Sequence, residues 1–263
     1  MERSTKDLGV RAGAGDGGGI FRRRAGIASA ALCLLVSVGL LLAGCGGGGD
    51  GVSSQVISGT AAVGAPLAGE ANIKDAANRE KITIIGSDGS FAFDVSDMIG
   101  PFLLRAVSDE NGERHTLLSF ADSPGTANIN PLANAAVACA AGGEDPEEIF
   151  ARADREKLER IRAALPEALE KLLRKLRPLL RRYDIDSEDP IRVKFRIDHT
   201  RYDGLFDAVK ITLHQGVLTI VNKKTKGVIF TGNVTDIMNG NFTEGNMPNP
   251  GALPDVPEEV EAH

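Results

Sequence analysis

Apolar residues recur along this chain at two different periods, and the order of those periods sets the fold class. Between residues 56 and 121 the runs are short and several alternate, so that Phe91, Phe93 and Val95 share one side of a strand. From Leu158 the spacing changes to steps of three and four, through Ile161, Leu165, Leu169, Leu172, Leu176, Leu180 and Tyr183, which is one face of a helix. After Pro190 period two returns, with Ile191, Val193, Phe195 and Ile197 alternating with Arg192, Lys194 and Arg196. Segregated strands, helices and strands predict an α+β chain. Its expected order is an N-terminal antiparallel β-sandwich, a helical region and a short antiparallel β unit.

Local signals refine that outline. Strands are expected over 56–62, 70–74, 81–85, 91–95, 102–107 and 116–121. Turns fall at Ser87-Asp88-Gly89-Ser90 and at Asp109-Glu110-Asn111-Gly112-Glu113, because Asn-Gly and Asp-Gly tolerate positive φ. Asn130 caps a helix that starts at Pro131 and ends before Gly142-Gly143, and Asp145-Pro146-Glu147-Glu148 starts another. Pro166 and Pro178 are expected to break the long helical stretch into two or three pieces. A helical turn leads into a strand over 205–213, and strands follow at 217–221 and 228–231. The tail, 246–263, holds four prolines before an acidic end and is expected to be disordered.

The N-terminus carries a different message. Arg22-Arg23-Arg24 precede an uncharged run from Ala25 to Gly44, the pattern of a secretory signal. A run of about 20 residues could instead span a bilayer as an ordinary helix. Its end decides between them: Leu42-Ala43-Gly44-Cys45 resembles the bacterial lipobox at every position and is followed by Gly46-Gly47-Gly48-Gly49. That resemblance implies cleavage of residues 1–44, a lipid on Cys45 and a flexible tether over 45–54, with the membrane as partner through the anchor. Gly46, where an Asp would signal retention, implies the outer membrane of the cell envelope. A twin-arginine route fits less well, since no Phe-Leu follows the arginines.

Of the 30 basic and 36 acidic residues, six and three precede Cys45, so the remainder carries 24 against 33, a net charge of −9. A strongly acidic chain is a poor partner for nucleic acid. With Cys33 in the signal and Cys45 lipidated, Cys139 is left alone in an apolar helical run, where a buried, inert thiol is expected. The absence of tryptophan argues against a sugar-stacking cleft.

Two further resemblances cover the exported part. Ser58-Gly59-Thr60, Gly64-Ala65-Pro66-Leu67-Ala68-Gly69 and Ser87-Asp88-Gly89-Ser90-Phe91 resemble the carboxypeptidase regulatory-like (transthyretin-like) β-sandwich, over residues 55–130. Such domains are accessories, so the likeness implies a sandwich without catalysis. Glu70-Ala71-Asn72-Ile73 departs from that family by being more polar than its usual strand. Gly100-Pro101-Phe102-Leu103-Leu104-Arg105-Ala106, then Thr126 to Asn134, then Asp198-His199-Thr200, are similar in order to uncharacterised deltaproteobacterial envelope lipoproteins. That likeness implies that residues 131–245, helices plus C-terminal strands, belong with the sandwich in one arrangement.

Three groups of side chains invite a chemical reading. Lys171, Arg174, Lys175, Arg177, Arg181 and Arg182 form a basic helical face that either meets anionic headgroups or is solvated, with Glu167 and Glu170 as partners. Solvation is the simpler account. Asp184, Asp186, Glu188 and Asp189 alternate as in calcium loops, but Pro190 replaces the continuation and no glycine stands at the required place, which favours a solvated connector. Asp198, His199, Asp203 and Asp207 are the most chemical group: at helical spacing they would hold a metal or orient a base. No nucleophile elbow, metalloprotease spacing or phosphate loop accompanies them. The expectation is therefore that Asp198 caps a short helix and His199 bonds the backbone. Together these features predict a non-catalytic envelope module with no cofactor, which binds or spaces another envelope protein or polymer. The alternative is a metal-assisted hydrolase using Asp198, His199, Asp203 and Asp207.

Overall fold

A computed structural model describes residues 55–110, 113–240 and 248–255. Seven strands occupy its N-terminal part: β1 (Val56–Thr60), β2 (Glu70–Lys74), β3 (Glu80–Ile84), β4 (Ser90–Asp94), β5 (Phe102–Glu110), β6 (Glu113–Ala121) and β7 (Gly125–Thr126). They form two sheets, in the orders β4-β1-β7 and β3-β2-β5-β6. The four-stranded sheet is antiparallel throughout, whereas β7 pairs parallel with β1, a short strand with no period-two signal of its own. The inner faces supply one core: Ile57, Phe91 and Phe93 from one sheet, Ala71, Ile73, Leu104 and Ala106 from the other, all buried. The alternation along β4 thus marks the buried face. On β3, an edge strand, the alternating isoleucines do the opposite, and Ile82 and Ile84 lie 61% and 70% exposed.

β2 is buried on both faces, and this accounts for its polar residues. Its outer side lies under helix α2 (Pro146–Ala151), where Lys74 Nζ donates to the Phe150 carbonyl at 3.0 Å and pairs with Glu80 at 2.9 Å. Arg105 on β5 stacks 4.1 Å from the Phe150 ring and pairs with Glu147. Lys74 and Arg105 thus bury their methylenes beneath the helix while pairing their heads.

The helical region begins with α1 (Pro131–Ala140), capped by Asn130, whose Oδ1 accepts from the Leu132 and Ala133 amides. After α2 comes α3 (Arg155–Leu180), one continuous helix of 26 residues with Pro166 and Pro178 inside it, so the expected breaks do not occur. Both prolines are exposed, so the carbonyls they leave unbonded lie toward water. The stripe from Leu158 to Leu180 is buried on either side of each proline, and that shared burial outweighs the missing bonds.

Beyond α3 the chain makes α4 (Arg201–Ala208), then β8 (Val209–His214), β9 (Val217–Asn222) and β10 (Val228–Asn233) in an antiparallel sheet, then α5 (Val234–Asn239). Leu218, Ile220, Phe230 and Ile237 join the core that includes α1, α3 and the sandwich. Two expectations fail here. Residues 191–197 form no strand: burial alternates along them, but they begin in a turn, the Arg192 and Val193 amides donating to the Asp189 carbonyl, and continue as a strap without a ladder. Asn128 holds the strap, its amide donating to the Ile191 carbonyl at 2.7 Å and its Nδ2 to the Val193 carbonyl at 2.7 Å. Alternation reports which side is buried, not what the backbone pairs with. The tail is not disordered over 248–255: the Asn249 amide donates to the Ile229 carbonyl, Asn222 Nδ2 donates to the Ala252 carbonyl, and Ala252 is buried. The expected signal, lipobox and tether (1–54), the Asn111-Gly112 turn and the tail end (256–263) lie outside the described residues.

Candidate functional site

The group that sequence reading marks as most chemical sits where the strap runs into α4. Residues 198–200 form a tight turn, with His199 at φ 60° and Arg201 at φ 48°, both in the left-handed region that costs a side chain energy. The turn lies on the first coil of α4, and only a glycine permits it: a Cβ on Gly204 would stand 2.5 Å from the His199 carbonyl oxygen. At the other end of the helix Gly64, from the glycine-proline turn after β1, is equally close to its neighbour, a Cβ there meeting the Phe206 carbonyl at 2.7 Å. Phe206 stacks on both Phe195 and Tyr202, ring centroids 6.1 Å apart in each pair, so strap, helix and sandwich turn are locked together.

On that scaffold His199, Asp203 and Asp207 converge. Asp203 Oδ2 accepts the His199 backbone N–H at 2.7 Å and lies 3.9 Å from His199 Nδ1. Asp207 Oδ2 is 2.7 Å from the same Nδ1. Exposure grades across the trio: the His199 side chain is 80% exposed, Asp207 36% and Asp203 not at all. The second oxygen of Asp203, Oδ1, is buried without a hydrogen-bond partner. Beside them a hollow of about 70 Å³ is lined by Val193, Phe195, Asp198, Thr200, Tyr202 and Asp203 among others.

The electrostatics follow from this grading. The hydrogen bond to Asp207, with the charges of Asp207 and Asp203, raises the His199 pKa and favours imidazolium. Burial raises the Asp203 carboxyl, the His199 amide bond pulls it down, and the neighbouring Asp207 charge raises it again. Asp198 contributes through its charge, which also raises His199, and its side chain lines the hollow but turns to Thr200. Its Oδ1 accepts from the Thr200 amide and hydroxyl, and the hydroxyl bond holds its carboxyl below the usual range. The expected cap is thereby corrected: Thr200 occupies the cap position of α4, and Asp203 rather than Asp198 reaches back to satisfy an amide ahead of the helix. His199 bonds a carboxylate rather than backbone. Of the four residues grouped by sequence, three converge within metal-holding distance, and Asp198 stands beside them with its carboxylate engaged by Thr200.

The other candidates dissolve into ordinary contacts. In the acidic connector Asp189 Oδ1 accepts the Ile191 amide and Glu188 pairs with Arg201, so the carboxylates serve separate partners. Among the described residues, His199, Asp203 and Asp207 are the one group with metal-holding geometry. The basic face of α3 is split: Lys171 pairs with Glu167 and Arg174 with Glu170, while Lys175 is buried beneath the Phe230 ring, 2% exposed, and belongs to no solvated face. Cys139 is buried, and burial pushes its thiol up to about 12, an inert group as expected.

Sequence reading missed what the asparagines after β7 do. Asn128 Oδ1 accepts the Thr60 amide, Asn130 Nδ2 donates to the Pro190 carbonyl at 2.9 Å, and Asn134 Oδ1 accepts the Leu118 amide at 3.0 Å. All three are buried, and together they join strap, sheet and α1. Amides recurring at even spacing beside buried alanines were the available signal, since a buried amide must find partners. Comparison with known families, curated proteins and solved structures finds no match to this chain, so the His199 group is judged on its own geometry.

Proposed function

We propose that this chain is a cell-envelope lipoprotein, cut before Cys45 and anchored by lipid on that cysteine, at the outer membrane. The observation that carries this reading is the tetrad Leu42-Ala43-Gly44-Cys45 at the end of an uncharged run that follows three arginines. The residues between Cys45 and Gln55 number nine, enough to span about 30 Å when extended. Beyond the anchor, the chain acts as a non-catalytic binding or structural module that contacts another envelope protein or polymer. The likeness of residues 55–130 to accessory β-sandwiches supports this, as does the use of Asp198 in a local turn. The second reading, a metal-assisted hydrolase, draws on the convergence of His199, Asp203 and Asp207.

The anchor is tested by expressing Cys45→Ser beside the wild type, fractionating the cells and labelling with a palmitate analogue. Loss of label and release from the membrane fraction are expected. Wild-type labelling of the variant overturns the assignment.

A further inference from the structure

We propose that His199, Asp203 and Asp207 form a binding site for one divalent transition-metal ion of the zinc class. Three ligand atoms, one from each residue, lie within 4.8 Å of one another. Around a zinc ion with bonds of about 2.0–2.2 Å, neighbouring ligand atoms stand roughly 3.0–3.5 Å apart. The distances from His199 Nδ1 to Asp207 Oδ2 and to Asp203 Oδ2, 2.7 and 3.9 Å, bracket that range. Small movements of the exposed imidazole and of the partly exposed Asp207 carboxylate bring the three atoms, within 4.8 Å of one another, to that spacing.

Spacing alone would not distinguish this site from an ion pair. Asp203 does. Its carboxylate is fully buried and fronts the imidazole with Oδ2, while Oδ1 has no partner. A fully buried carboxylate with one oxygen unbonded carries poorly compensated charge, and a cation beside the carboxylate offsets it. The second carboxylate compounds the problem, because Asp207 brings a further negative group to the same imidazole, its Oδ2 2.7 Å from Nδ1. A doubly charged ion balances both carboxylates. Zinc takes Nδ1 as its ligand in place of the hydrogen bond between Nδ1 and Asp207. One imidazole and two carboxylates are a donor set that suits zinc better than calcium, which prefers oxygen alone. With His199 largely exposed, the remaining coordination position faces water. The ion would tie the turn at 198–200 to both turns of α4, and so hold the strap.

The test uses the full-length chain, purified in detergent in a chelator-free buffer and titrated calorimetrically with zinc chloride. His115, His214 and His263 can bind zinc adventitiously, so variants locate the site. Asp203→Asn risks misfolding, since Asp203 also holds the His199 amide. His199→Gln and Asp207→Asn alter exposed groups and keep that bond. The expected result is saturable binding of one zinc per chain. Both variants should bind roughly tenfold more weakly or worse. Absence of saturable binding to the wild type overturns the proposal, as does undiminished affinity in both variants.

Discussion

Asn130 offers a sharp test of how the helical region is fastened, because two of its tasks can be separated by one atom. Its side chain is buried, with Oδ1 capping α1 through the Leu132 and Ala133 amides and Nδ2 donating to the Pro190 carbonyl. Asn130→Ala removes both. The lost cap costs about 1 kcal/mol. The uncovered Pro190 carbonyl adds about 1–2 kcal/mol, since Asn128 Nδ2 reaches it only at 3.5 Å. The sum is roughly 2–3 kcal/mol. Asn130→Asp is more informative. At an open helix start Asp caps as well as Asn. Here the introduced carboxylate would keep the cap but set an oxygen against the Pro190 carbonyl in a dry site, with no donor between them. We expect a loss of about 3 kcal/mol at neutral pH, no smaller than that of the alanine variant. The same environment raises the introduced group's pKa, so the penalty is complete above that value and shrinks as pH falls through it. Urea unfolding followed by circular dichroism measures both variants, with an unchanged m-value as the check that the unfolded states match. Wild-type stability in Asn130→Asp, within about 0.5 kcal/mol, would refute the grip on Pro190.

Two other outcomes follow from buried polar contacts. Asp75, fully buried, accepts the Ala77, Arg79 and Ile99 amides and the Arg79 guanidinium; burial alone would raise its pKa, but these bonds lower it overall. Its contribution is therefore present above the unfolded value near ~3.9 and is lost as pH falls through the lower folded value. Asp75→Ala should cost about 3 kcal/mol in urea melts at pH 7, and a difference that persists undiminished at pH 2 would contradict the role. Chains ending at residue 246 should melt roughly 4–8 °C below chains ending at 255, since the cut strips cover from Asn222, Ile229 and Arg182. Equal melting temperatures would mean that 248–255 adds nothing.

Much of this fold is written in local patterns, and its departures share one cause. Phe91, Phe93 and Val95 announce their strand because one face is buried and the other wet, and Asn130-Pro131 announces α1 because cap and proline act within one turn. Pro166 misleads because its cost is local whereas the burial that overrides it comes from distant partners. Ile191 to Ile197 misleads for a related reason: its alternation is real, yet its Ile191 and Val193 carbonyls are taken by Asn128, more than 60 residues away in sequence. The site shows the same division. Spacing of four between His199, Asp203 and Asp207 suggested one helical face. The turn that engages Asp198 with Thr200 depends on left-handed residues and on Gly204, which no periodicity reveals.

β1 has a mechanical consequence. The chain ahead of Gln55 enters the fold through this strand, which is the middle strand of its sheet, paired over five residues with β4 and two with β7. A load drawn outward along its axis acts on bonds of both neighbours at once, in shear rather than by peeling. Resistance to such a load is set by the rate of rupture, not by equilibrium stability. A protein tethered from that end would therefore hold under tension well after an edge strand had unzipped.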